Sequence, residues 1–119
     1  MINLHDLTNE QADYLAAKAQ WELEKREFGD HYDTTDFIDY WIPQKQIMLS
    51  AYSPTTNGQQ AMELLEKFLI NLDFVGVDGW RATISFKTNQ FVAPTPERAI
   101  VKAVVASIFG NEIDEGELG

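Results

Sequence analysis

The sequence predicts an α+β fold: an N-terminal helix, then an α-β-β-β-α unit whose three-stranded antiparallel sheet packs against helices. Three observations predict this fold. Apolar residues recur at helical spacing at both ends of the stretch 57–109, they alternate with polar residues in its middle, and turn or capping residues mark each boundary. A chain of 119 residues is typical of one domain, expected at 1–110, with a flexible acidic tail at 111–119.

The N-terminal helix begins after Thr8, which can cap it while Gln11, three residues later, returns the hydrogen bond as in a capping box. Gly29 follows Phe28 and is a typical helix stop. The helix carries two apolar stripes, which indicates contacts on two of its sides or a single broad core face.

The stretch from Phe37 to Tyr52 is rich in aromatic and apolar residues, and Pro43 splits it. We interpret it as an extended segment or irregular hairpin packed over the core. The simplest role of its rings is to complete the core, which we favour for Trp41 and Ile47.

The same region is where we expect a binding surface. Aspartates recur every third residue before and within it, and aromatic anchors beside acidic residues are typical of interface hot spots. The predicted partner-binding residues are Asp30, Asp33, Asp36, Phe37, Asp39 and Tyr40.

The central helix is predicted to begin at Thr56, with Gln59 completing a second capping box. Three strands follow. The first is expected at 73–77, and Asp78-Gly79 is a strong signal for a short hairpin turn. The second strand alternates, with four residues expected to face the core: Trp80, Ala82, Ile84 and Phe86. The third strand is expected at 90–93.

The last helix has clear signals at both ends. Thr95 is a natural N-cap, Pro96 suits the first helical position, and Gly110 is a typical C-terminal stop. Apolar residues surround most of the helix, so it should be largely buried. Val105 and Phe109 extend its polar stripe, and we expect either the N-terminal helix or a second copy of the protein to cover them.

Charge and composition restrict the function classes. There are 19 acidic and 9 basic residues, a net charge of −10, so direct binding to nucleic acid or to an anionic membrane is not expected. The acidity either solubilises the protein or provides a surface for a partner protein with a basic surface. The absence of cysteine, of a signal-peptide pattern and of a long apolar run favours a cytoplasmic protein.

No pattern of residues predicts catalysis. The chain lacks a thiol nucleophile and the glycine-rich phosphate and dinucleotide motifs, so we expect no enzyme activity and no cofactor. One alternative is a small metal-dependent enzyme in which His31 and neighbouring aspartates bind a divalent ion, although their spacing is loose.

Several stretches resemble the phage ABA-sandwich family of small phage and prophage proteins. The first is Leu15-Ala16-Ala17-Lys18 in the N-terminal helix. The others are Tyr52-Ser53, the helix Ala61-Met62-Glu63-Leu64-Leu65-Glu66-Lys67-Phe68, the strand Trp80-Arg81-Ala82, and Ala93-Pro94-Thr95-Pro96-Glu97-Arg98-Ala99-Ile100 at the start of the last helix.

The resemblance implies a sheet between helices and a phage-encoded protein acting in the cytoplasm of a bacterial host. It implies no catalytic residues. With the charge, it leads to the hypothesis of a non-catalytic accessory protein that binds and inhibits or modulates a host protein, such as a nucleic-acid-binding or defence protein, by charge mimicry. A structural homodimer joined through Val105 and Phe109 is a further alternative.

Overall fold

The computed structural model describes residues 1–28, 36–84 and 89–118. It confirms the α+β class and the three-stranded antiparallel sheet packed against helices. The helices are α1 (Asn9–Phe28), α2 (Phe37–Lys45), α3 (Gly58–Lys67) and α4 (Pro96–Phe109). The strands are β1 (Ile2–Asn3), β2 (Ile70–Phe74), β3 (Trp80–Ile84), β4 (Gln90–Ala93) and β5 (Glu112–Ile113).

The larger sheet has the order β2-β3-β4, with both pairs antiparallel. Its first strand begins three residues earlier than the sequence predicts, at Ile70 rather than Asp73. The alternation in β3 is confirmed at Ala82 and Ile84, which are buried, while Trp80 is half-buried. Phe86 lies outside the described residues.

Helix α4 crosses the buried face of this sheet, and α1 packs against α4. Alanines on both helices, such as Ala16 and Ala103, are fully buried and allow the two backbones to approach closely. Val105 is fully buried within the chain, where it shares a narrow crevice with Leu4 and Ala12. Phe109 is half-buried and packs against the same core. Val105 and Phe109, through which the homodimer alternative joins two copies, are therefore covered by contacts within the chain.

Two of the predicted helix caps are confirmed. The Thr8 amide donates to Gln11 Oε1 at 3.0 Å, and the Gln11 amide donates to Thr8 Oγ1 at 3.1 Å, which is a complete capping box. At α4, Thr95 Oγ1 accepts from the Arg98 amide at 3.3 Å. The predicted starts of α1 and α4 follow from these local contacts.

The cap predicted at Thr56 is wrong by one residue. Asn57 caps α3, and its side-chain oxygen accepts from the Gln60 amide at 3.0 Å. The Thr56 hydroxyl instead donates to the carbonyl oxygen of Ser53 at 3.3 Å. Adjacent polar residues can both cap a helix, and the turn that precedes α3 selects Asn57.

The extended segment or hairpin predicted after Phe37 is also wrong, because residues 37–45 form helix α2 and the helix continues through Pro43. Phe37, Tyr40 and Trp41 recur at the i, i+3, i+4 spacing of a helix, and all three are buried. The helix ends at Gln46, which adopts the left-handed conformation with φ of 55°.

The flexible tail predicted at 111–119 is a further correction. Residues 112–113 form β5, which pairs with β1 so that Ile113 lies opposite Ile2. Ile113 is fully buried, and Glu117 forms an ion pair with Lys18 of α1 at 2.9 Å. The segment is acidic, but one apolar residue and one ion pair hold it on the domain.

The turn between β2 and β3 is longer than the two-residue hairpin that Asp78-Gly79 predicts. A 3-10 turn at Gly76–Asp78 occupies it, and the Val75 amide donates to the carbonyl oxygen of Gly79 at 2.9 Å. Gly79 has a φ of 97°, and a Cβ atom there would lie 2.3 Å from the carbonyl oxygen of Ala93. The turn therefore requires glycine for conformation and for space.

We expect Gly79→Ala to lower the free energy of unfolding by about 2 kcal/mol, because it adds a steric clash to an unfavourable φ. Gly76→Ala is the matched control: its φ is also positive, at 76°, but nothing lies within 4 Å of the added Cβ. Urea denaturation of both variants measures the difference. Equal losses would show that the close approach to Ala93 does not matter.

Candidate functional site

Asp36 and Asp39, two of the predicted partner-binding acids, lie at the start of α2 and are exposed. Between them Ile38 is 43 % exposed, which is unusual for an isoleucine. These three side chains form what we call the α2 acidic surface. Asp30 and Asp33, also predicted for the partner site, lie outside the described residues.

Phe37 and Tyr40, the aromatic residues predicted for the same site, are 7 % and 6 % exposed. The Phe37 ring packs against Tyr14 and Trp21 of α1, with ring centroids 5.6 and 5.7 Å apart. Helical spacing turns both rings towards the core and leaves the acids outside. The two rings therefore hold α2 on the domain and are not exposed to a partner.

Helix α1 carries a buried carboxyl group at Glu24, which is 4 % exposed. Three groups donate to it: the Tyr40 hydroxyl, Lys45 Nζ at 2.5 Å and Lys67 Nζ at 3.1 Å. Burial by itself would raise the pKa of Glu24, but the hydrogen bonds from Lys45 and Tyr40 outweigh it and lower the pKa. The carboxylate is thus ionised and connects α1, α2 and α3.

A second buried carboxyl group lies at Asp13, near the start of α1. Both of its oxygens accept from Thr55, one from the backbone amide and one from the hydroxyl, each at 2.9 Å. Burial raises the pKa of Asp13 and the nearby charge of Glu10 raises it further, while the two bonds from Thr55 act in the opposite direction. The net shift of the pKa is upward, because burial outweighs the two hydrogen bonds from Thr55.

Asp13 lies beside a cavity of about 590 Å³ between the start of α1 and residues 49–56. We call it the Asp13 cavity. Among the described residues that line it, none is a lysine, an arginine or a histidine. The hydroxyl of Tyr52, another lining residue, is buried and has no hydrogen-bond partner among the described residues. Burial, followed by the charges of Asp13 and Glu63, raises the pKa of this phenol.

The metal-dependent alternative gains no support. Within residues 1–28, 36–84 and 89–118, no three histidine, aspartate or glutamate side chains are close enough to hold a metal ion. His31 lies outside these ranges, so the hypothesis stays untested. None of the helices in the described part of the chain has the length and apolar character needed to cross a membrane.

Sequence reasoning missed both Asp13 and Glu24. A signal for Glu24 exists: it follows Trp21 by three residues and Ala17 by seven, so it falls within an apolar stripe of α1. A carboxyl group on a buried helix face requires donors, and this is a reason to search for them. The sequence does not show that Lys45 and Lys67 supply them.

No protein-family model, curated protein or solved structure matches this chain, so its resemblance to the phage ABA-sandwich family stays a prediction.

Proposed function

We propose that the protein is a non-catalytic binding module whose acidic exterior holds a partner protein with a basic surface. The observation that carries the proposal is a difference between the basic and the acidic side chains. Within the described part of the chain, the basic side chains are largely engaged by other groups of the domain, whereas many acidic side chains face solvent and form no ion pair there.

Two lysines, Lys45 and Lys67, are engaged by the single buried carboxylate of Glu24. Three further basic side chains form ion pairs: Lys18 with Glu117, Lys25 with Glu22 and Arg81 with Asp73. With a net charge of −10, the outward electrostatic field is negative over much of the surface. Such a field speeds association with a basic partner and disfavours acidic ones.

The α2 acidic surface is the part of this exterior best suited to docking. Ile38 offers apolar area at its centre, and Asp36 and Asp39 flank that area with charge. An apolar centre with a charged rim is the usual composition of a protein interface. A basic partner would cover Ile38 and place cations opposite both aspartates.

The biological setting is part of the proposal and rests on the family resemblance and the charge. A phage-encoded protein in a bacterial cytoplasm would use this surface to inhibit or modulate a host protein. A host protein that binds nucleic acid or acts in defence has the required basic surface, and the acidic module would compete for it as a charge mimic.

The test compares two double variants with the same change in charge. Asp36→Asn with Asp39→Asn alters the α2 acidic surface, whereas Glu66→Gln with Glu112→Gln removes two exposed charges elsewhere. Tagged proteins are incubated with bacterial lysate, and the affinity of any retained protein is then measured with purified components. We expect about tenfold weaker binding for the first variant and little change for the second.

Two results would contradict the proposal. One is the same affinity for the wild type and for both variants, which would place the contact elsewhere or make the charge irrelevant. The other is a lysate from which the wild type retains no protein at low salt.

A further inference from the structure

We propose that the Asp13 cavity is a receptor for a guanidinium group, supplied by an arginine side chain of the basic partner. This inference rests on the proposed function and adds to it the chemical group that the partner inserts. Four features of the described residues support it: an uncompensated buried charge, an unpartnered buried hydroxyl, the size and lining of the cavity, and its position beside α2.

The uncompensated charge is seen by comparing the two buried carboxyl groups of α1. Glu24 has two lysine ammonium groups as counter-ions. Asp13 is almost as deeply buried, at 8 % exposed, yet its donors are the neutral groups of Thr55. A buried carboxylate without a counter-ion is costly, and a cation that enters the cavity would remove much of that cost.

Glu10 strengthens the preference for a cation. It lies one helical turn before Asp13 and also lines the cavity, so two carboxyl groups share one space, and no basic residue is among the described residues that line it. The charge of Glu10 acts against ionisation of Asp13. A bound cation would be attracted by both groups at once.

The Tyr52 hydroxyl is the second, independent observation. Tyr52 lines the cavity, its side chain is more than nine-tenths buried at 8 % exposed, and its hydroxyl has no partner among the described residues. A buried hydroxyl without a hydrogen-bond partner is energetically unfavourable. Its oxygen can accept an N–H from a ligand seated beside Asp13.

The lining favours a guanidinium over an ammonium or a metal ion. A guanidinium has five N–H donors in a plane, and the cavity offers several acceptors: Asp13, Glu10, Tyr52 and the hydroxyls of Ser53 and Thr56. At about 590 Å³ the cavity also has room for the side chain that carries the group. A metal ion would require a closer set of ligands, and no group of three such residues occurs in the described ranges.

The position of the cavity connects it with the α2 acidic surface. Tyr14 lines the cavity, and its ring packs edge-on against Phe37, the first residue of α2, with centroids 5.6 Å apart. Asp36 immediately precedes Phe37 and is exposed. Helix α2, which carries the α2 acidic surface, therefore contacts a side chain that lines the cavity.

The experiment is an NMR titration with three capped tripeptides, Gly-Arg-Gly, Gly-Lys-Gly and Gly-citrulline-Gly, and with N-methylguanidinium. Citrulline has nearly the shape of arginine but no charge. We expect saturable shifts at the Thr55 amide with the arginine peptide, at least tenfold weaker binding of the lysine peptide, and none of the citrulline peptide. N-methylguanidinium should bind more weakly than the arginine peptide, because it lacks the side chain that fills the cavity.

Variants separate binding from folding. Asp13→Asn removes the charge but keeps groups that can pair with both the amide and the hydroxyl of Thr55, so we expect a folded protein with at least tenfold weaker arginine binding. Tyr52→Phe should weaken binding severalfold without lowering the melting temperature, because the hydroxyl has no partner to lose. Glu66→Gln, on α3 outside the cavity, should bind as the wild type does.

Several results would overturn the inference: equal binding of the arginine and citrulline peptides, no shift at Thr55, or undiminished binding by folded Asp13→Asn. Equal affinity for N-methylguanidinium and the peptide would identify a free small cation as the ligand and overturn the assignment to a partner side chain. If partner binding depends on Asp36 and Asp39 but no peptide enters the cavity, the proposed function is supported and the assignment of the Asp13 cavity as a guanidinium receptor is wrong. If the arginine peptide binds but no partner is retained from lysate, the assignment of the cavity is supported and the proposed function is wrong.

Discussion

Replacing Glu24 by glutamine is expected to lower the free energy of unfolding by about 3 kcal/mol, at the lower end of the range for breaking a buried ion pair. The carboxylate accepts from Tyr40, Lys45 and Lys67, and the substitution leaves two ammonium groups close together without a counter-ion. Both lysines are about a quarter exposed, so water stabilises part of their charge and limits the loss. Urea denaturation at pH 7 measures the change.

The pH dependence of this loss has a definite sign. The pKa of Glu24 is lowered in the folded protein from the ordinary value of 4.5, so the carboxylate stabilises the fold above that pH. The stabilisation disappears as the pH falls through the folded-state pKa. The difference between the wild type and Glu24→Gln should therefore be largest near neutrality and shrink in acid. A difference that stays constant from neutral to acidic pH would show that charge is not its source.

Glu22→Gln is the matched control for Glu24→Gln. Glu22 lies on the same helix, and its ion pair with Lys25 at 3.2 Å is of the i, i+3 type near the surface. Pairs of this kind contribute about 0.3–0.5 kcal/mol. If both substitutions cost the same, the buried cluster around Glu24 does not have the role that its geometry indicates.

Replacing Ile113 by alanine is expected to cost about 3 kcal/mol, because the side chain is fully buried and its loss leaves a cavity. Chemical or thermal denaturation measures the loss. Glu112→Ala, in the same strand but exposed, should change stability by less than about 0.5 kcal/mol.

Hydrogen exchange gives a second measurement of the same contact. The Leu4 amide donates to the carbonyl oxygen of Asn111 at 2.8 Å, next to the β1–β5 pair. We expect this amide to be protected in the wild type and in Glu112→Ala and to exchange much faster in Ile113→Ala. If Ile113→Ala changes neither the free energy of unfolding nor the protection of the Leu4 amide, residues 112–113 do not hold the N-terminal segment.

The parts of the fold that the sequence predicts well depend on neighbours in the chain. Residues within a few positions of one another produce three such features: the alternation in β3, the capping box of Thr8 and Gln11, and the start and end of α4. Local hydrogen bonds and a single buried face determine such elements, so a single sequence contains the required information.

The incorrect predictions have two physical causes. At α2, Pro43 favours a non-helical segment, although three aromatic residues recur there at helical spacing. Burial of those three rings stabilises the helix in spite of the proline. At β5, the partner strand lies at the opposite end of the sequence, so no local pattern reveals the pairing. Both segments owe their structure to tertiary contacts.

The candidate site was only partly accessible to sequence reasoning for the same reason. The acidic residues of α2 were found because charge and aromatic residues alternate locally. The Asp13 cavity could not be predicted from the sequence, because Thr55 lies 42 residues from Asp13 and the cavity exists only when residues 49–56 pack on α1. Sites built from distant segments require the fold to be known first.

The pairing of β1 with β5 has a consequence for biosynthesis. Ile2 is synthesised before the helices and the central sheet, whereas its partner Ile113 is synthesised after them. The nascent chain must therefore keep its first strand unpaired throughout translation of the helices and the central sheet. Bringing such distant segments together has an entropic cost of loop closure, and the packed core lowers this cost by holding both segments near each other. The β1–β5 pair can thus form only after β5 has been synthesised, and until then the β1 segment stays accessible to chaperones and proteases.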